Sequence, residues 1–355
     1  MKKIESLRIK MKEIGVDSIL VLDEINQRYL CDFAFSDGCL FITQYHSYLI
    51  TDFRYYEMAI KGADPDFEIT MTDDRRSFIL EAIAKDSVKT VGFEGENVSF
   101  ATYKRYTKNY ENIEFVNVGC AIEEIRQIKT NEEIALMQKA QDITDDAFSH
   151  VLKMLTPEMT ELDVAVELEY AMRRGGAESF AFETIAVSGD ASALPHGKPR
   201  NCTLKKGFLT MDFGAKFNGY CADMTRTVVI GKADVEMKKL YNTVLKAQED
   251  ALDFIRAGVD AAEVDMIARN VIDSIPEYKN TFGHSLGHSI GMLVHETPGF
   301  SKRYKGRLLR TGEIYSCEPG IYLFGKYGCR IEDMIAVRED GIYNFTHSTK
   351  ELIEI

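Results

Sequence analysis

Two pairs of carboxylates and a cluster of histidines have the residue types and spacing that could do chemistry. The segment FLTMDFGAKFNGYCADMTRTVVI (208–230) has alternating runs on both sides of Asn218-Gly219, a strong hairpin turn signal. Asp212 and Asp223 flank that turn, and their midpoint falls within about a residue of it, so the spacing predicts two carboxylates near each other across a hairpin. Like charges that close repel, and a bound cation removes the cost; two solvated hairpin aspartates are the plainer alternative. SCEPGIYLFGKYGCRIEDMIAV (316–337) again reads strand, turn, strand, with Glu318 and Glu332 evenly spaced about Gly325. Each sits in an otherwise apolar strand, where a charged Glu is rare unless it is paired or on a metal. NTFGHSLGHSIGMLVHETPGF (280–300) holds His284, His288 and His295, three of the seven histidines, with Gly283, Gly287 and Gly291 allowing close backbone approach. A lone histidine is more often a satisfied core or surface residue. Three within twelve residues, between two carboxylate hairpins, point instead to ligation or catalysis. His196, in SGDASALPHGKP, is a fourth candidate, no better alone than a loop histidine.

Four carboxylates with one or two imidazoles make an oxygen-rich site. It favours Mn²⁺, Co²⁺ or Fe²⁺ over thiolate-selecting metals and leaves Zn²⁺ open. Four exceed the need of one ion and suit two ions about 3.5–4 Å apart with bridging carboxylates and a bridging hydroxide, a hydrolytic arrangement. The HExxH helix of zinc proteases is absent, as are a P-loop and a dinucleotide-binding fingerprint.

The elements that must position these groups read as follows. SILVL (18–22), CLFIT (39–43), SYLIT (47–51) and TVGFE (90–94) are predicted strands, separated by helical patterns over 54–61, 76–84 and 101–110. Thr130 to Glu133 fits a capping box that should open a long helix, so a domain boundary is expected near residue 125. That gives an α/β domain over 1–125 and a second domain over 126–355. Beyond the boundary come helices at about 131–155 and 160–174, then strands at 182–187, 208–213 and 221–230. Helices at 234–256 and 261–274 follow, then strands at 313–318, 320–324, 330–337 and 342–346. Helix pair, strands, helix pair, strands is an α+β pattern with a hint of two similar halves.

The 355 residues suit about two domains, and 45% apolar with 28% charged content is ordinary for a soluble globular chain. A net charge of −13 argues against nucleic acid or an anionic membrane as partner. No apolar run approaches a membrane span, and MKKIESLRIKMKEIG reads as a charged amphipathic helix rather than a signal peptide. Seven cysteines, an odd number without CxxC, suggest free thiols in the cytoplasm.

The motifs MDFGAKFNGYCADMTRT, LGHSIGMLVHETP, CEPGIY and CRIED, with SALPHG upstream, resemble those of the pita-bread metallopeptidases, in particular the Xaa-Pro peptidases aminopeptidase P and prolidase. RQIKTNEEIALMQKA resembles the entry to that family's catalytic domain, and YLCDF and TDFRY resemble signatures of its creatinase-like N-terminal domain, so the likeness spans essentially the whole chain. The resemblance implies an exopeptidase with two divalent ions, Mn²⁺ foremost, acting on short proline-containing peptides, as a homodimer. It implies Asp212, Asp223, His288, Glu318 and Glu332 as metal ligands, with Asp223 and Glu332 bridging. Glu318 would also handle protons, His196 and His295 would steady the scissile carbonyl, and His284, Tyr322 and Arg330 would line or support the site. An Xaa-Pro bond has no N–H, so a site that attacks the carbonyl without gripping that hydrogen suits it.

Some positions depart from the family pattern. Ser289 stands where Gly is usual. Gly299 stands after HETP, where many prolidases place an Arg that binds the dipeptide carboxylate. The first basic residues beyond it are Lys302 and Arg303; the departure counts against strict dipeptidase specificity unless a nearby Arg substitutes. Cys317 and Cys329 lie beside or near ligands and read chiefly as small buried residues. The alternative class is a pita-bread protein that only binds partners or hydrolyses another amide or amidine; such relatives have usually lost metal ligands.

Overall fold

A computed structural model describes residues 2–355. The described residues divide into two compact units between Arg126 and Gln127.

The first unit is a six-stranded sheet with helices. Its strands are β1 (Ser18–Val21), β2 (Cys39–Thr43), β3 (Ser47–Thr51), β4 (Glu68–Met71), β5 (Thr90–Phe93) and β6 (Glu114–Asn117), in the order β4-β3-β2-β1-β5-β6. Its helices are α1 (Lys3–Ile14), α2 (Glu24–Cys31), α3 (Phe53–Gly62), α4 (Arg75–Asp86), α5 (Phe100–Asn109) and α6 (Ala121–Arg126). The central β1-β2-β3 trio is antiparallel, and β4, β5 and β6 add in parallel. Every residue of β1, β2 and β3 is buried, which is why these strands read as continuous apolar runs. The edge strands β4 (EITM) and β6 (EFVN) carry exposed Glu68 and Glu114 and have no such run, so the apolar pattern did not mark them.

The second unit opens on α7 (Asn131–Met154). Thr130 caps it: Glu133 N donates to Thr130 Oγ1 at 3.2 Å, and Thr130 N donates back to Glu133 Oε2 at 2.8 Å. Helix α8 (Glu161–Arg174) follows. Short strands β7 (Ser179–Phe180), β8 (Ile185–Ser188), β9 (Gly207–Phe213), β10 (Ala215–Phe217), β11 (Tyr220–Cys221) and β12 (Met224–Ile230) come next. After α9 (Val235–Phe254) and α10 (Ala261–Asp273) come β13 (Gly287–Ser289), β14 (Glu296–Phe300), β15 (Ile314–Cys317), β16 (Gly320–Leu323), β17 (Tyr327–Arg330), β18 (Asp333–Arg338) and β19 (Gly341–Asn344).

Each helix pair covers sheet. Phe148 and Val151 of α7 and Val164 and Leu168 of α8 pack with Leu209, Met211 and Val228. Leu240 and Val244 of α9 and Val264 and Ala268 of α10 pack with Tyr315, Ile335 and Val337. Phe208 and Val229 join this second cluster, whereas their neighbours Leu209 and Val228 join the first. Successive side chains of β9 and β12 therefore point to opposite faces, and both faces are covered. All seven residues of β12 are consequently buried.

Candidate metal centre

The hairpin at Asn218-Gly219 forms as its sequence demands. Phe217 pairs with Tyr220, and both turn residues take positive φ (45° and 89°), as a two-residue reverse turn with right-handed twist requires. The two strands do not run on unbroken. β10 and β11 belong to one sheet with β7, and β9 and β12 to another with β8. Gly214 sits at the break, where a Cβ would lie 1.9 Å from the Ala222 carbonyl oxygen. Asp212 pairs with Thr225 rather than with Asp223. Asp223 is thus the diagonal neighbour of Asp212, two residues before Thr225 and on the same face.

The second acidic pair also sits at a break. Cys317 pairs with Asp333 at the end of β15-β18, and Gly320 pairs with Arg330 at the start of β16-β17. Glu318 and Glu332 are the opposed positions between these ladders. The stretch expected as one strand over 330–337 is therefore split at Ile331 and Glu332. The histidine segment, read without strands, contains β13 and β14; His288 lies in β13, whose Ser289 pairs with Tyr315 of β15.

These elements bring the carboxylates and histidines to one cavity of about 930 Å³. Asp212, Asp223, Glu318 and Glu332 line it, with His196, His284, His288, His295 and Arg330. One ligand-capable atom each from Asp223, His288 and Glu332 lies within 4.8 Å of the other two. His288 Nε2 is 3.5 Å from Asp223 Oδ2 and 3.4 Å from Glu318 Oε1. The rings of His288 and His295 stand 4.1 Å apart between centroids. Arg330 Nη2 donates to Asp212 Oδ2 at 2.5 Å, and Asp212 Oδ1 is buried with no hydrogen-bond partner.

The electrostatics show the same crowding. Burial, then the charges of Glu332 and Asp212, push the Asp223 carboxyl well above its ordinary range. Burial, then Glu318 and Asp212, do the same to Glu332. Burial raises Asp212 against the pull of Arg330. Burial would also raise Glu318, but its hydrogen bond and ion pair with His288 outweigh that and hold it at about 2. Burial works to lower His288, and the same contact with Glu318 raises it overall. Four carboxylates thus face one guanidinium and one imidazole, and one buried acceptor is unused. A donor set this rich in oxygen and negative charge fits divalent cations.

Three side chains that the motifs did not single out tie the site together. Thr225 Oγ1 donates to Glu332 Oε2 at 2.7 Å and accepts from Arg330 Nε at 2.9 Å. Ser316 Oγ donates to Glu318 Oε1 at 3.2 Å and accepts from His288 N at 3.1 Å. Arg226, almost fully buried, donates to the carbonyls of Thr225 and Glu332 and pairs with Asp333 at 2.7 Å. Strand alternation could have found the first two, since Thr225 and Ser316 lie two residues from Asp223 and Glu318 and share their faces. Arg226 gave no signal, because its partners are distant in sequence.

Tyr322 Oη accepts from Arg330 Nη1 at 3.0 Å and meets His284 Nε2 at 2.9 Å, so both are anchored to the Asp212 side of the site. Lys302 and Arg303 lie on a short 3₁₀ turn, and neither lines the cavity, which removes them as a carboxylate grip there. Among the described residues no cysteine is in a disulfide. Burial holds the Cys329 thiol at about 12 and raises Cys317 well above its ordinary value, so both behave as protonated packing residues.

Comparison with known proteins places this arrangement. Residues 135–339 match the model of metallopeptidase family M24, and residues 3–128 match the creatinase/prolidase N-terminal domain. The chain is 39% identical to an uncharacterized peptidase of Bacillus subtilis and 32% identical to an Xaa-Pro dipeptidase of Pyrococcus furiosus, each alignment covering 99% of both chains. Among solved structures it is similar to an Xaa-Pro dipeptidase from Bacillus anthracis (TM-score 0.95, 38% identity, 100% of this chain and 99% of the other). It is also similar to an X-Pro aminopeptidase from Thermotoga maritima (TM-score 0.92, 34% identity, 98% and 100%). The chain belongs to metallopeptidase family M24 and is a metal-dependent hydrolase, with a creatinase-type N-terminal domain and a pita-bread catalytic domain.

Proposed function

We propose that this enzyme hydrolyses Xaa-Pro bonds at the N-terminus of short peptides, with two divalent ions, Mn²⁺ foremost, held by Asp212, Asp223, His288, Glu318 and Glu332. The observation that carries the reading is the gathering of four carboxylates and His288 in one cavity, with Asp212 Oδ1 buried and unpartnered. The names of the Pyrococcus and Thermotoga relatives support the Xaa-Pro preference. Divalent ions bound there would lower the pKa of water and polarise the scissile carbonyl.

The protein's own groups do the rest. Glu318 takes the proton of the attacking water and returns it to the leaving proline nitrogen. His295, beside His288, and His196, which lines the same cavity, donate hydrogen bonds to the carbonyl oxygen as its charge develops. Burial and the neighbouring His288 keep the His295 imidazole low, so it donates as a neutral ring near pH 7. Arg330 orients Asp212 directly and Glu332 through Thr225, while Tyr322 holds the His284 ring. The working form is a homodimer in the cytoplasm. Exposed Phe53, Met58 and Ile60 on α3 supply apolar surface of the kind an interface covers. Among the described residues no helix is long and apolar enough to cross a membrane.

The test is hydrolysis of Ala-Pro and Ala-Pro-Ala, side by side, by protein stripped of metal and reloaded with Mn²⁺ or Co²⁺. Cleavage of the dipeptide alone identifies a dipeptidase, and preference for the tripeptide an aminopeptidase. Metal-loaded protein that cleaves neither refutes the Xaa-Pro reading.

A further inference from the structure

A free dipeptide brings its own carboxylate into the cavity, one residue beyond the bond to be cut. Among the described residues, the Lys and Arg side chains that line the cavity are Arg173, Lys198 and Arg330. Arg330 is almost fully buried and committed to Asp212, Thr225, Tyr322 and the Pro195 carbonyl. Arg173 donates to the carbonyls of Ala177 and Glu178 and lies over the Phe180 ring at 5.1 Å. Lys198 differs from both. Among the described residues its ammonium pairs only with Glu183, at 2.9 Å, and the two side chains are 80% and 85% exposed. A pair so solvated holds its members weakly and can be exchanged for another carboxylate.

The backbone that carries Lys198 is fixed even though its side chain is not. Arg330 Nη1 donates to Pro195 O at 3.3 Å, and Gly197 N donates to Leu194 O at 3.0 Å. A Cβ at Gly197 would lie 2.9 Å from Val187 Cγ1, so the chain is packed tightly there, and Pro199 restricts it on the other side. Lys198 therefore stands two residues from His196 on a rigid loop, with a long flexible stem reaching the same cavity.

We propose that Lys198 receives the C-terminal carboxylate of the substrate, displacing Glu183, and so sets the preference of this site for short free-acid peptides. Glu183 is the gate of that subsite, since it occupies Lys198 when no substrate carboxylate is present. The assignment rests on the Xaa-Pro reading.

The test is steady-state kinetics of Mn²⁺-loaded wild type, Lys198→Gln, Lys198→Arg and Glu183→Gln on Ala-Pro and on Ala-Pro amide, which lacks the charge. K198Q should raise KM for Ala-Pro about tenfold and move KM for the amide less than about twofold, the loss of one charge-assisted contact made equally in ground and transition states. K198R should restore most of the difference. E183Q should lower KM for Ala-Pro, because the competing carboxylate is gone. Equal shifts for acid and amide, or no shift for either, overturn the assignment while leaving the Xaa-Pro reading intact. Wild type that cleaves neither peptide overturns the reading and the assignment with it.

Discussion

Loading the site with metal should expel protons, and the number can be worked from the geometry. Asp212, Asp223, Glu318 and Glu332 share one cavity with two groups of opposite charge, the Arg330 guanidinium and the His288 imidazole. If His288 is protonated, two negative charges remain uncompensated, and burial makes them costly. The metal-free protein relieves this by holding protons on Asp223 and Glu332 more tightly than on ordinary carboxyls, both being raised well above that range. The contact with Glu318 raises His288 as well, against the effect of burial, so its second proton is harder to remove. A divalent cation needs carboxylates and a neutral imidazole, so binding at pH 7 should release about two to three protons per chain. The sign follows: groups raised in the metal-free state lose protons on binding, so metal affinity climbs as pH rises toward their pKa values. The assay is calorimetric titration of stripped protein with Mn²⁺ in two buffers of different ionisation enthalpy, where the difference in apparent heat counts the protons. Glu332→Gln should lower the count by about one and weaken binding. Release of less than about one proton by wild type would refute the charge argument.

His295→Ala should retain its metal, read by elemental analysis, and lose about 10²- to 10³-fold in kcat, the scale for one oxyanion donor; normal turnover removes it from the mechanism. Asp333→Ala leaves the almost fully buried Arg226 guanidinium without its carboxylate, and should cost about 3–5 kcal/mol in denaturant unfolding. A loss under about 1 kcal/mol would mean that the carbonyls around Arg226 suffice. Glu94, buried in the first unit, accepts from Leu22 N, Asp23 N and Asn26 Nδ2, and burial raises it from 4.5 to about 7. Its contribution is fully present below pH ~4.5 and lost as pH rises through 7, so the stability of wild type relative to Glu94→Gln should fall by about 3 kcal/mol between pH 4.5 and pH 8. A pH-independent difference in denaturant titrations would contradict this.

Much of the fold was legible because burial leaves local signatures. The β2 and β3 runs, the Thr130 capping box and the Asn218-Gly219 turn each encode their conformation within a few residues. The edge strands β4 and β6 were not, because their ends face solvent and carry charge. Strands β13 (GHS) and β14 (ETPGF) were missed because they are short and their Gly, His and Pro residues lack the composition of a strand.

The candidate site divides in the same way. Sequence alone marked the acidic pairs and the histidines, since charged residues inside apolar strands and three clustered imidazoles violate the ordinary pattern wherever the chain folds. The two-residue turn already fixes the register that sets Asp212 opposite Thr225 and Asp223 on the diagonal, since Phe217-Tyr220 and Asp212-Thr225 belong to one uninterrupted register; what sequence could not show is the break at Gly214 that hands the two ends of the hairpin to different sheets. Nor could it join Glu332 to Thr225, Arg226 to Asp333, or Arg330 to Asp212, pairs separated by more than a hundred residues. Residue type and local spacing are written in the chain and declare which groups are chemically able. Which of them meet, with what charge left over, is set by the packing of strands from both halves of the second unit, and no short window of sequence contains it.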